Sequence, residues 1–116
     1  SATGTIRRHP DMPWLRTESD ITRAAQTQAR MIDNALKMLK SGGVLVYCVC
    51  SLQKAEGERQ TEATLKFHKS LSIDAIQPDE VKGLEACLTS LGELRIVPSA
   101  LEGGIDGFYV VRLRKV

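Results

Sequence analysis

The stretch Gly42-Gly43-Val44-Leu45-Val46-Tyr47-Cys48-Val49-Cys50-Ser51-Leu52 constrains this chain more than any other. Two glycines precede a continuous apolar run, and a polar segment follows it. A run of this length bounded by breakers predicts a strand covered on both faces, as in a parallel sheet. In open parallel sheets, ligands and chemistry gather at the carboxyl ends of the strands. Cys50 lies at that end, so its position alone makes it a candidate for chemistry.

The chain has 116 residues, enough for one domain with a real core. Its net charge of +2 permits a polyanionic partner without demanding one, because clustering matters more than the total. An odd count of three cysteines, with no signal-like apolar start, suits free thiols in a reducing cytoplasm. No apolar run approaches the roughly 18–20 residues that a membrane span needs, so no membrane partner is expected. One Trp, two Tyr and two Phe argue against a broad base-stacking platform.

Residues 1–16 show no periodicity and read as an extended loop that clusters Arg7, Arg8 and His9. Such a cluster is either a solvated surface or a phosphate-contacting loop, in which guanidinium groups grip phosphate oxygens. Thr17-Glu18-Ser19-Asp20 is a helix start, with a hydroxyl cap and acids in the first turn. Apolar residues from Ile21 to Leu39 then recur at helical spacing, and Gly42-Gly43 supply the stop. This helix leads straight into the apolar strand, as in the second half of a crossover unit. Ser51 is placed to cap a second helix reaching His68, with Gly57 weakening its first turn.

Residues 71–75 alternate as a half-covered strand. Pro78 opens a short helix carrying Val81, Leu84, Leu88 and Leu91 on one face. A short extended piece at 93–97, a turn-rich loop at 103–107 and a closing strand at 108–113 complete the chain. The last two strands are too close for a parallel crossover, so they predict antiparallel pairing at the end of the sheet. The fold class is half of an α/β domain with a mixed tail.

Cys48 and Cys50, two apart on a strand, face the same way. They are buried apolar thiols, a metal pair, or a nucleophile with a neighbour. The metal reading lacks a second ligand pair, since Cys87, His9 and His68 are scattered. A free thiol is intrinsically very nucleophilic even when only a small fraction is ionised. If the closing strand runs antiparallel beside 44–50, Asp106 and Phe108 come near Cys50; otherwise Asp106-Gly107 is only a turn and Phe108 only core. His68, on a charged helix, reads as solvated.

Four motifs in order carry a resemblance. Ser1-Ala2-Thr3-Gly4-Thr5-Ile6-Arg7-Arg8-His9-Pro10-Asp11, then Trp14, resembles the segment after the Asp-Ala-Pro-Cys motif of the bacterial Sun and eukaryotic nucleolar-type RNA 5-methylcytosine methyltransferases. Leu45-Val46-Tyr47-Cys48-Val49-Cys50-Ser51-Leu52 resembles their second cysteine motif, usually Tyr-Ser-Thr-Cys-Ser. Glu56-Gly57-Glu58 resembles their Glu-Asn-Glu, and Pro98 with Asp106-Gly107-Phe108-Tyr109 resembles their Pro…Asp-Gly-Phe-Phe. Two departures stand out: Ala2 replaces a usual Gly, and Cys48-Val49 replaces Ser-Thr.

The resemblance implies the carboxyl-terminal half of a class I, Rossmann-like methyltransferase domain, with residues 1–116 as one partial domain. It implies S-adenosylmethionine as cofactor, with the main cofactor motifs and the product-releasing cysteine upstream. It implies that Cys50 attacks carbon 6 of a cytosine in rRNA or tRNA, with Arg7, Arg8 and His9 facing the RNA. On this reading the fragment alone is inactive, and it self-associates through an unpaired sheet edge beside residues 44–50. The rival expectation is a non-catalytic RNA-binding or interaction module.

Overall fold

A computed structural model describes residues 1–116. The first segment is folded rather than extended. A single 3-10 turn covers Thr3–Thr5, and a four-residue helix α1 covers Met12–Leu15, with Pro13 in its first turn. Helix α2, Glu18–Met38, begins as its sequence predicts. The Thr17 hydroxyl accepts from the Asp20 backbone N–H at 3.2 Å, and the Asp20 carboxylate accepts from the Thr17 N–H at 2.9 Å. At its other end Lys115 reaches back, donating to the carbonyls of Leu36 (3.2 Å) and Leu39 (2.9 Å). That places a cation on the negative end of the helix dipole.

Strand β1 spans Val44–Val49, helix α3 Glu58–Phe67, and strands β2, β3 and β4 span Leu71–Ile73, Leu94–Ile96 and Phe108–Lys115. Every strand pairs with β4, and every pairing is antiparallel. β1 runs along one edge of β4, with Val44 opposite Arg114 and Val49 opposite Tyr109. β3 and β2 share the other edge, at Phe108–Val110 and Leu113–Lys115. β1, β2 and β3 therefore run parallel to one another with β4 inserted between them. This is the expected α/β arrangement with an antiparallel closing strand.

α2 and α3 pack on one face of this sheet. Tyr109, Val111 and Leu113 of β4 are essentially inaccessible there, against Leu45, Tyr47 and Val49 of β1. Ile32 and Leu36 of α2 close over Leu71. The opposite face of β1 is open: Val44, Val46 and Cys48 are exposed. The expectation of a strand covered on both faces thus fails within these residues, because both long helices lie on the same side.

Two helix expectations need correction. Ser51 does not cap α3. Its hydroxyl turns inward, accepting from Gln53 N–H at 3.0 Å and donating to Glu56 at 2.7 Å, and a 3-10 turn at Lys54–Glu56 follows. Gly57, at φ −116° and ψ −98°, is not helical and forms the boundary at which α3 starts. The predicted helix from Pro78 is two isolated 3-10 turns, Pro78–Glu80 and Glu85–Cys87. Gly83 interrupts the apolar pattern at φ +88°, a conformation that ends a helix. His68 is not merely solvated: its Nε2 lies 3.1 Å from Asp33 Oδ1, linking α3 to α2.

Glu80 closes its own turn by accepting from Gln77 N–H at 2.7 Å, and it grips Arg112 of β4 through two bonds of 2.8 and 3.1 Å. The Arg112 hydrogen bonds hold its carboxyl down at about 2. A carboxylate depressed on folding contributes stability above its unfolded pKa, and that stability is lost as pH falls through the folded value. Glu80→Gln should therefore flatten the loss of stability between about pH 4.5 and pH 2. Urea midpoints at pH 6 and pH 3 check this; equal acid sensitivity in variant and parent would contradict it.

Candidate active site

The end of β1, the first loop and the start of β4 converge around Cys50. The Gly4 N–H donates to the Cys50 carbonyl at 2.9 Å, and the Gly107 N–H donates to the Gly4 carbonyl at 2.6 Å. No side chain fits at Gly4: a Cβ there would stand 2.0 Å from the Gly107 oxygen and 2.8 Å from the Cys50 carbonyl. Glycine is required because three backbones meet at van der Waals distance. Thr3 adds a second tie. Its hydroxyl accepts from the Leu52 N–H at 3.1 Å and lies 3.2 Å from the Ser51 hydroxyl.

Asp106 and Arg8 sit at the same end. Arg8 grips the Asp106 carboxylate through bonds of 2.6 and 3.1 Å, and Arg7 lies 3.8 Å away. The Arg8 hydrogen bond, helped by the charges of Arg8, Arg7 and His9, holds Asp106 below the usual carboxylate range. The Asp106 bond and charge hold Arg8 above its usual range, and Cys50 adds to that effect. Val49 pairs with Tyr109, so Phe108 is one step further along the ladder, level with Cys50. The structure brings Cys50, Arg8, Asp106 and Phe108 to one place. Arg7 is partly committed elsewhere, donating to the Gly103 carbonyl at 3.3 Å, and His9 is exposed on the same loop. Cys48 faces outward on the open side of β1, and Cys87 is remote in sequence on a 3-10 turn. No group of three or more His, Cys, Asp or Glu side chains is placed to hold a metal ion.

Further polar residues hold the turn after Cys50. Glu56 is fully buried, with one oxygen accepting from the Ser1 nitrogen (2.6 Å) and Gln28 (3.0 Å). The other oxygen accepts from the hydroxyls of Ser1 (2.6 Å) and Ser51 (2.7 Å). Burial pushes its carboxyl up, while the hydrogen bonds from Ser1, Ser51 and Gln28 pull it down. The Tyr47 hydroxyl donates to the Glu56 carbonyl at 2.5 Å. Arg95 of β3 donates to the Ser51 carbonyl at 2.5 Å and to both oxygens of Glu58 at 2.8 and 2.7 Å. The acidic pair in Glu56-Gly57-Glu58 is visible in the sequence. That Arg95, 44 residues after Ser51, reaches the same turn is not.

With this geometry described, comparison with known proteins is decisive. The family model described as 16S rRNA methyltransferase RsmB/F matches residues 1–114. The chain belongs to the RsmB/F family. The ribosomal RNA small subunit methyltransferase B of Serratia proteamaculans is 53% identical over 116 residues, covering 100% of this chain and 24% of that protein. The methyltransferase B of Photorhabdus laumondii is 38% identical over 115 residues, covering 99% and 24%. This RsmB/F chain thus spans about a quarter of the length of the curated relatives it matches.

Among solved structures, PH0851 superposes with a TM-score of 0.82 at 25% identity, covering 98% of this chain and 24% of that one. NSun6 from Pyrococcus horikoshii with SFG superposes with a TM-score of 0.66 at 26% identity, covering 87% and 24%. The Sun-type resemblance and the Rossmann-like fold both stand.

Ala2 has a cost that an RsmB/F chain with glycine there avoids. It sits at φ 58° and ψ 24°, the one non-glycine residue with positive φ. For an L-residue this left-handed conformation costs about 1–2 kcal/mol. Its carbonyl is held there by the Thr5 N–H (3.0 Å) and the Thr5 hydroxyl (2.8 Å). Ala2→Gly should raise unfolding stability by about 1 kcal/mol in denaturant titrations. An unchanged or lower midpoint would show that the loop does not store this strain.

Proposed function

We propose that the protein to which this chain belongs is an S-adenosylmethionine-dependent RNA cytosine-5 methyltransferase, with Cys50 as its nucleophile. The convergence of Gly4, Cys50 and Gly107, which fixes the thiol-bearing backbone beside Arg8 and Asp106, carries the reading. Unactivated cytosine carbon 5 is a poor nucleophile, and covalent attack on the neighbouring carbon changes that. The Cys50 sulfur bonds to carbon 6, and the electron pair of the 5,6 double bond moves toward carbon 5. Carbon 5 then takes the methyl group, a base removes its proton, and the sulfur leaves as the double bond returns.

S-adenosylmethionine supplies the methyl group, and its main binding motifs are assigned upstream of these residues. The relatives named as rRNA small subunit methyltransferases support an rRNA substrate for the RsmB/F chain. The target base has to leave its stack to reach a thiol at a strand end. Arg7, Arg8 and His9 face that approach. On this reading the Arg8 guanidinium trades the Asp106 carboxylate for an RNA phosphate, an acceptor it can also grip through two bonds.

RNA bearing 5-fluorocytosine, which has no carbon-5 proton to lose, should trap the full-length protein as a covalent adduct. Cys50→Ala should abolish the adduct on denaturing gels, while Cys48→Ala should retain it. An adduct that persists in Cys50→Ala would remove the nucleophile assignment.

The outer edge of β1 carries no strand partner, and its exposed Val44 and Val46 adjoin that edge. An unpaired apolar edge is a template for pairing with another chain. The 116 residues expressed alone should therefore self-associate. Light scattering at high concentration checks this, and a clean monomer would count against it.

A further inference from the structure

We propose that Arg95 is a positioning residue that sets the Cys50 thiol by clamping the carbonyl of Ser51, the residue that follows it. The inference rests on Cys50 being the nucleophile. Val49, Tyr109 and Arg95 stand in one row across β1, β4 and β3. The Arg95 side chain crosses β4 along this row, with its guanidinium carbon 5.0 Å from the centre of the Tyr109 ring. It ends on the Ser51 carbonyl at 2.5 Å. Both oxygens of Glu58, in the first turn of α3, hold the rest of the fork at 2.7 and 2.8 Å.

Burial pushes the Glu58 carboxyl up, but the Arg95 bonds outweigh that and keep it below the usual range, so the pair stays charged. The side chain of Arg95 is only 16% exposed, which makes its bonds to Glu58 and Ser51 stronger than a surface pair. The two carbonyls around the Cys50–Ser51 link are thereby tied from opposite directions: Cys50 to Gly4 of the first loop, Ser51 to Arg95 of β3. A planar fork does this where a single ammonium point charge does not.

Gly57 makes room for the clamp. A Cβ at residue 57 would stand 2.6 Å from Arg95 Nη2 and 2.9 Å from Tyr109 Cγ. A side chain at 57 would press on the Tyr109 ring and on the nitrogen that Arg95 gives to Glu58, so the fork would have to shift.

The test measures the rate of adduct formation with 5-fluorocytosine RNA in the full-length protein at saturating RNA, alongside RNA affinity and melting temperature. Small misplacement of a reacting group costs rate rather than binding. Arg95→Gln should slow adduct formation by about tenfold or more with RNA affinity within about twofold of the parent. Gly57→Ala should slow it similarly, and the double variant should be no slower than either alone. Arg112→Gln breaks a comparable ion pair on the same sheet away from Cys50, and it should leave the rate within about twofold.

If Arg95→Gln does not fold, Arg95→Lys, which keeps the charge but loses the fork, should show the same slowed rate. An Arg95 variant with parental rate, a loss accounted for by RNA affinity, or an equal loss in Arg112→Gln would overturn the proposal. An adduct that survives Cys50→Ala overturns the nucleophile assignment and this clamp together. Cys50-dependent trapping at an Arg95-independent rate overturns the clamp alone.

Discussion

The antiparallel insertion of β4 between the other strands is the constraint on which the rest depends. Each of β1, β2 and β3 finds its hydrogen-bond partners on β4. A strand running antiparallel beside β1 starts where β1 ends. The loop before β4 is therefore delivered to the carboxyl end of β1, and Asp106 arrives near Cys50 without any contribution from the helices. The same strand carries the core, since Tyr109, Val111 and Leu113 face the helices and are almost wholly buried. One element thus sets both the stability of the sheet and the composition of the candidate site.

The turn after Cys50 is held by polar groups where an apolar core would be simpler. A buried carboxylate is costly unless nearly every lone pair is met. Glu56 meets this condition through donors from Ser1, Gln28 and Ser51, and the half-buried Glu58 is held by the fork of Arg95. Hydrogen bonds are directional, so such a network fixes a turn in a way that apolar packing does not. The Gly4 contact acts on the preceding carbonyl, that of Cys50, where three backbones leave no volume for a Cβ. A thiol that has to approach a ring carbon along a defined line is well served by a backbone held from two sides.

Much of this was legible in the residues. α2 was readable because its capping box, apolar period and terminal glycines agree, and local and tertiary demands coincide there. β1 and β4 were readable from their apolar runs, and the antiparallel tail followed from the short gap between 97 and 108. Asp106 and Phe108 were placed near Cys50 only on the condition that the closing strand ran antiparallel beside residues 44–50, and the pairing of β1 with β4 meets that condition. The predicted helix from Pro78 failed because its apolar spacing was correct while Gly83 took a positive φ. Ser51 looked like a helix cap, but its hydroxyl found a stronger acceptor in the buried Glu56. Arg95 could not be read at all: its partners lie 37 and 44 residues away, and no local pattern announces an arginine that crosses a strand.

The central claim is that the thiol at the end of β1, and no other, forms the bond to the base. Protease digestion of the trapped complex with 5-fluorocytosine RNA, followed by mass spectrometry of the crosslinked peptide, reads this directly. The account predicts a nucleotide attached at Cys50, within the peptide that also contains Cys48, with fragment ions placing the added mass on the second cysteine. A nucleotide on Cys48, on Cys87 or on a residue outside this segment would contradict it.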